Sequence, residues 1–275
     1  MRLFKKVAVI GAGLIGGSIA LAIKKKKLAD EVVGVTRHRR TLLLAKKIGA
    51  IDRGAQDLSI VRGADLVIFA TPVKTILGQA KKVSRLIKKD CLVTDVGSTK
   101  KEIVAKLERI FPGYVGTHPL AGSEKRSVIN ADPGLFKGSL CIVTPTKNTC
   151  PQAKRKIEKL WRNLGAKMLS LPPAGHDKAL SFVSHLPHAV AFSLIGTVPG
   201  QFLKFAASGL KDTTRIAASD AHLWADIFLS NKDLPEAIDK FTDNLARIKS
   251  AIRKKDKNLL SKILKTARDK RKSLG

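Results

Sequence analysis

The stretch Val7-Ala8-Val9-Ile10, Gly11-Ala12-Gly13-Leu14-Ile15-Gly16 and the apolar run to Ile23 constrains this chain more than any other. A β-branched strand that runs into G-x-G-x-x-G and then into an apolar helix is the entry turn of a dinucleotide-binding βαβ unit. Gly11 permits the tight turn, Gly13 lets backbone approach a pyrophosphate, and Gly16 lets the helix pack closely on the sheet. Amides at the helix start, around Leu14 and Ile15, then face the phosphates. Lys5 and Lys6 before this apolar run also resemble the start of a secretory signal. Four glycines interrupt the run, however, and Lys24 to Lys27 follow with no small-residue cleavage pattern, so strand, turn and helix fit better.

Beyond the turn, short β-branched runs alternate with helical patterns up to Leu171, the mark of a parallel sheet covered by crossover helices. Strands are expected at 7–10, 31–35, 65–70, 91–95, 114–118 and 140–144. Helices are expected at 15–26, 41–48, 75–88, 101–110 and 152–164. Pro172-Pro173 and Gly175 then mark a boundary, and the remainder reads as helices. The expected fold is α/β: a Rossmann-type, doubly wound, mostly parallel sheet over residues 1–172, followed by an all-helical domain over 173–275. In the second part Leu234, Ile238, Phe241, Leu245, Ile248 and Ile252 form one apolar stripe on a long helix. A core-facing helix is the plainer reading of that stripe, and a homodimer seam the sharper one.

The second strand of such a unit ends in Asp or Glu where NAD is preferred, because a carboxylate there binds the ribose hydroxyls. Here it ends Val35-Thr36-Arg37-His38-Arg39-Arg40, a hydroxyl followed by cations. Thr36, Arg37 and His38 therefore favour NADP, whose 2′-phosphate they would clamp, with NAD as the alternative. Ala70, Thr71 and Pro72, after the 65–70 strand, are expected on the cofactor as well.

Lys and Arg number 52 against 22 Asp and Glu, a formal charge of +30, so anionic partners need weighing. Nucleic acid is disfavoured: aromatics are 5% of residues, do not interleave with the basic runs, and accompany no recognition motif. Cys91, Cys141 and Cys150 make no CxxC pair and are an odd count, which argues against a disulfide framework or a metal site and fits a reducing cytoplasm. After the first helix, no apolar run of about 18 residues is expected to span a membrane.

Two further segments carry chemistry. Asp95-Val96-Gly97-Ser98-Thr99-Lys100 ends one expected strand, and Gly116-Thr117-His118-Pro119-Leu120-Ala121-Gly122 ends the next. Ligands of open α/β sheets bind at carboxyl strand ends, so Ser98 and His118 should converge on one crevice. An imidazole placed there can take a hydroxyl proton.

With these residues in view, VAVIGAGLIGGSIALAI, TDVGSTK, GTHPLAGSEKRSV, LFKG with LCIVTPT, FVSHLPHAVAF and ASGLKDTTRIAASDAHLWADIF together resemble the prephenate and arogenate dehydrogenases of tyrosine biosynthesis. Other two-domain Rossmann dehydrogenases share only the first of these motifs. The resemblance implies oxidative decarboxylation of prephenate to 4-hydroxyphenylpyruvate, with arogenate as the alternative substrate. It further implies that His118 takes the proton of the C4 hydroxyl and that Ser98 holds that hydroxyl or His118 in place. Arg215 would bind a substrate carboxylate, with Gly209, Asp212 and Thr213 shaping its loop. His185 would line the pocket, His188 would reach the substrate side chain, and Trp224 would lie near a dimer-related pocket. A homodimer through the helical domain follows from the same likeness, whereas a non-catalytic dinucleotide sensor would need none of His118, Ser98 and Arg215.

Overall fold

The computed structural model describes residues 2–121 and 127–274. Gly122 to Arg126, from the GTHPLAGSEKRSV segment, lie outside the described residues. The first part is an eight-stranded sheet in the order β3-β2-β1-β4-β5-β6-β7-β8. Its strands are β1 (Phe4–Ile10), β2 (Ala29–Val35), β3 (Arg53–Ala55), β4 (Leu66–Phe69), β5 (Leu92–Asp95), β6 (Tyr114–Pro119), β7 (Leu140–Val143) and β8 (Lys167–Ser170). The first six run parallel, β7 pairs antiparallel with β6, and β8 runs parallel to β7.

Connecting helices are α1 (Leu14–Lys25), α2 (Arg39–Lys47), α3 (Val73–Ser84), α4 (Lys101–Leu107) and α5 (Pro151–Leu164). The strands are apolar without alternation because both faces are covered. Along β1, Val7 and Val9 join a core with Ile19, Ile23, Leu160 and Trp161 of α1 and α5. Ala8 and Ile10 join the opposite core with Ile76, Ala80, Ile103 and Leu107 of α3 and α4. Cys91 and Cys141 are buried in these cores as small hydrophobes, and all three cysteines are free.

Two strands go beyond the six expected from sequence. Arg53–Ala55 is three residues, too short for a pattern, and Lys167–Ser170 is an edge strand with mostly exposed side chains. The reversal at β7 carries no sequence signal, because Cys141, Ile142 and Val143 are buried in either direction.

After Ser170 the chain is helical: α6 (Pro173–Leu180), a π-helical turn Ser181–His185, α7 (Leu186–Thr197), α8 (Ser208–Thr214), a 3-10 turn Arg215–Ala218, α9 (Ala221–Ser230), α10 (Leu234–Arg253) and α11 (Lys257–Lys272). The π turn precedes Pro187, which has no N–H to give and whose ring would meet the carbonyl four residues back in a regular helix. Helices α4 and α6 pack together, as do α3 and α9. Polar bonds tie the same seam: Lys74 to Asp226 at 2.9 Å, Lys101 to Asp233 at 2.7 Å, and Thr99 Oγ1 to Ser230 Oγ at 3.1 Å.

Two expectations need correction here. The stripe on α10 does not face a core along its length: Leu234 and Ala237 are buried, but Phe241, Leu245 and Ile252 are 37%, 54% and 58% exposed. Burial on this 20-residue helix is confined to Leu234 and Ala237 in its first turn and Ala251 near its end, and most of the stripe between them is exposed. The continuous helix Pro173–Thr197 is also long and apolar enough to cross a membrane by length and composition, contrary to the expectation that no later segment is. Its His176, Asp177 and His185 are nevertheless buried and hydrogen-bonded within the protein, which its average hydropathy conceals.

Candidate active site

The glycine turn sits where the sheet changes winding direction. β1 lies between β2 and β4, so the crossovers leave its carboxyl end on opposite faces and open a crevice there. Gly11 adopts φ +100°, and a Cβ on it would lie 2.4 Å from the Ala70 carbonyl oxygen. A Cβ on Gly16 would lie 2.1 Å from the Gly11 oxygen. A Cβ on Gly13 would meet nothing within 4 Å. Protein atoms thus exclude side chains at the first and third glycines, whereas the second faces open space at the start of α1. Gly13 offers no side-chain cap to Leu14 and Ile15, so that helix end is bare for an anion. Opposite, Ala70-Thr71-Pro72 follows β4, and Thr71 Oγ1 is buried with no hydrogen-bond partner among the described residues. These features fit a nicotinamide dinucleotide.

Thr36 follows β2, while Arg37, His38, Arg39 and Arg40 are exposed at the start of α2, whose N-cap is His38. Cations at a helix N-terminus oppose the helix dipole, an arrangement that a bound anion relieves.

Farther along the same sheet edge, β5 and β6 deliver the 95–100 loop and His118. A fully buried ion pair of Lys100 and Asp95 anchors that loop. Tyr114 donates to Asp95 Oδ1 at 2.7 Å, the Gly97 amide to Oδ2 at 2.8 Å, and Lys100 Nζ to the Thr117 carbonyl at 2.6 Å. Burial, then Asp95, pushes the Tyr114 hydroxyl well above its usual range. Buried ion pairs are poor stabilisers, and what this one does is fix geometry: it ties the loop of Ser98 to the strand of His118. Ser98 itself is half-buried on that loop.

His118 Nδ1 lies 2.9 Å from His176 Nε2, and His176 Nδ1 lies 2.8 Å from Asp177 Oδ1. Asp177 also accepts the Lys100 amide at 2.7 Å and the Lys101 amide at 2.9 Å. Burial would raise its carboxyl, but the His176 bond and those amides outweigh it and hold Asp177 below the usual carboxylate range. Burial pushes His118 well below the ordinary imidazole value, helped by His176, Lys100 and His185. His176 is also lowered, burial outweighing the pull of Asp177.

His185 is buried and its Nδ1 lies 2.8 Å from Asn231 Nδ2, which also donates to the Asp177 carbonyl at 2.9 Å. The Asn231 oxygen accepts the Asp233 amide, so the nitrogen faces His185 and leaves its Nε2 as the N–H donor. Burial pushes His185 down to about 4. His188 donates from Nδ1 to the Ser184 carbonyl at 3.0 Å and stacks on Trp224.

Arg215 opens the 3-10 turn after α8, which packs against α7; it is exposed and forms no ion pair among the described residues. Gly209 and Thr213, on α8, are exposed too, and Thr213 Oγ1 bonds the Gly209 carbonyl. The structure therefore gathers His118, His185 and the 95–100 loop through shared bonds and fields, pairs His188 with Trp224, and leaves Arg215 exposed on the turn that packs against α7. His176, Asp177 and Asn231 were not foreseen. An adjacent His-Asp pair at the head of the first helix past the boundary was a usable signal for two of them, whereas Asn231 reads as an ordinary turn residue.

Comparison with known proteins accords with this geometry. Residues 19–170 match the family described as "Prephenate dehydrogenase, nucleotide-binding domain", and residues 172–266 match "Prephenate dehydrogenase, dimerization domain". Prephenate dehydrogenase of Bacillus subtilis is 37% identical over 280 residues, covering 98% of this chain and 76% of that protein. The crystal structure of prephenate dehydrogenase from A. aeolicus in complex with hydroxyphenyl propionate and NAD+ superposes with a TM-score of 0.93 at 34% identity, covering 98% of both chains. Synechocystis arogenate dehydrogenase superposes at 0.83 with 28% identity, covering 98% of this chain and 100% of that one. Two matched halves, a glycine turn shaped for a dinucleotide and a histidine on the same sheet edge lead to one conclusion: the chain belongs to the prephenate dehydrogenase family.

Proposed function

We propose that the chain oxidatively decarboxylates prephenate to 4-hydroxyphenylpyruvate in tyrosine biosynthesis, with His118 as the base. The observation that carries this is the position of His118: at the carboxyl end of β6, on the edge where Gly11, Gly13, Gly16 and Thr71 would hold the dinucleotide. A nicotinamide dinucleotide held by these residues would supply the hydride acceptor for C4 of the substrate. His118, half-buried and held well below the ordinary imidazole value, takes the C4 hydroxyl proton as the C4–H electrons leave, so a carbonyl forms at C4. The C1 carboxylate then departs as CO2; its bonding pair enters the ring, the C4 oxygen recovers a proton, and the ring becomes aromatic. Ser98 positions the hydroxyl, and Arg215 offers a planar fork to a carboxylate. His185 presents its Nε2–H toward substrate oxygens, and His188 with Trp224 borders the side-chain end.

The cofactor reading favours NADP, supported by the missing carboxylate after β2 and by Thr36, Arg37 and His38 at the bare head of α2. The dimer reading rests on the exposed apolar stripe of α10. The division at residue 172 is supported by the end of the last strand at Ser170 and the start of α6 at Pro173. Three free cysteines suit a reducing cytoplasm.

One observation favours arogenate as a second reading. His188 spends its Nδ1–H on Ser184, so in the neutral state its Nε2 is an acceptor. That suits the ammonium of arogenate, and suits the oxygens of a keto acid only after protonation. Steady-state assays of the purified chain with prephenate and arogenate, each with NAD+ and NADP+, decide both questions. Higher kcat/KM for prephenate with NADP+ is the expected result; turnover of neither substrate would overturn the assignment.

A further inference from the structure

Asp177 and His176, on α6, take no part in the proposed hydride transfer or in the glycine turn, yet their hydrogen bonds end on His118. Their bonds admit one consistent proton assignment. An ionised Asp177 only accepts, so His176 donates Nδ1–H to Oδ1 over 2.8 Å. In a neutral His176, Nε2 then carries a lone pair. His118 therefore donates its own Nδ1–H across 2.9 Å, and its Nε2 is left unprotonated. Asp177 is itself pinned by the Lys100 and Lys101 amides, so it cannot swing to offer another arrangement. Both His176 and Asp177 are buried, at 0% and 1% exposure, so no water competes for these bonds.

We propose that Asp177, acting through His176, is a positioning residue that locks His118 in the one tautomer able to accept the substrate hydroxyl proton at Nε2. This rests on His118 being the base. The same logic operates in serine hydrolases, where an aspartate holds the catalytic imidazole and its loss to the wrong tautomer costs about 10⁴ in kcat. Here the aspartate acts one imidazole farther away, and its anchor is the amide pair at the head of α4, not solvent or a side chain.

The test has two independent readouts. In the wild-type chain labelled with 15N-histidine, His118, assigned by loss of its signals in His118→Asn, should show a protonated Nδ1 and an unprotonated Nε2 at neutral pH. The opposite tautomer overturns the proposal whatever the kinetics. Kinetically, His176→Phe keeps the ring volume and removes the acceptor; kcat should fall about 100-fold with KM nearly unchanged. His176→Gln restores an acceptor and should recover most of that loss. Equal losses in the Phe and Gln variants would show a packing role only and overturn the relay. Asp177→Asn should lower kcat and give mixed His118 tautomers; should it fail to fold, the Phe and Gln pair still decides. If His118→Asn is inactive while the His176 variants turn over normally, the relay fails and the base assignment stands. If His118→Asn keeps wild-type turnover, the base assignment fails, and the tautomer spectrum still reports on the relay.

Discussion

The His188 imidazole lies on the Trp224 indole with 3.4 Å between ring centroids and 20° between planes. Trp224 also meets His185 edge-on at 6.1 Å and Phe228 at 5.5 Å. One indole thus orients both histidines of the SHLPH segment. Stacked aromatic pairs contribute about 0.5–1.5 kcal/mol beyond their burial. Trp224→Ala should therefore raise the substrate KM by about 2- to 12-fold, with a smaller effect on kcat. Unchanged KM would separate His188 from substrate binding.

The pH dependence follows from His118. Burial first, then His176, Lys100 and His185, holds it well below the ordinary value of 6.5. A base must be unprotonated, so kcat/KM should stay level from about pH 8 down through 6.5 and fall only at more acid pH. An acid limb centred at or above 6.5 would show that His118 is solvated or is not the base.

Stability should respond in the same direction. His118, His176 and His185 are all lowered on folding, His185 to about 4, so the unfolded chain binds more protons below pH 6.5. Their contribution is complete above about 6.5 and is lost as pH falls toward about 4. Thermal melts across that range should show Tm declining with acidity. In a His185→Gln variant the decline should be shallower.

Gly16 and Gly13 of the turn should separate by phenotype. Gly16→Ala puts a Cβ 2.1 Å from backbone oxygen and should cost about 1–3 kcal/mol or more of stability. Gly13→Ala meets nothing, at an ordinary φ of −84°, and should leave stability within about 0.5 kcal/mol. Its cofactor Kd should nevertheless rise at least about 10-fold, because the methyl occupies the approach of the pyrophosphate. Denaturant unfolding and cofactor titration of the two variants make the comparison.

The apolar face of α10 predicts an assembly. Phe241→Glu with Leu245→Glu should convert a dimer to a monomer in size-exclusion with light scattering, without unfolding the sheet, since both residues are exposed in the single chain. A wild-type monomer at micromolar concentration would remove the dimer reading.

Much of this was legible in the chain. The glycine turn, six of the eight strands and the helices between them are local matters: β-branching, glycine placement and helical periodicity act between near neighbours in sequence. The other two strands, β3 and β8, were not legible, because their mostly exposed side chains leave no apolar pattern. Nor was the reversal of β7, since a strand buried on both faces reads the same in either direction.

By itself, then, the sequence determined a doubly wound sheet opening on a dinucleotide turn, a helical second part, and His118 at a strand end. Tertiary structure decided what His118 can do there. Its partner His176 is 58 residues away, and Asp177 reaches the Lys100 amide across 77. Tautomer and protonation state depend on burial and on which groups meet across such distances, and no local pattern encodes that. The α10 stripe divides the same way: its period specifies an apolar face, and only the packed structure shows that Leu234 is buried while Ile238, Phe241, Leu245 and Ile252 stay exposed.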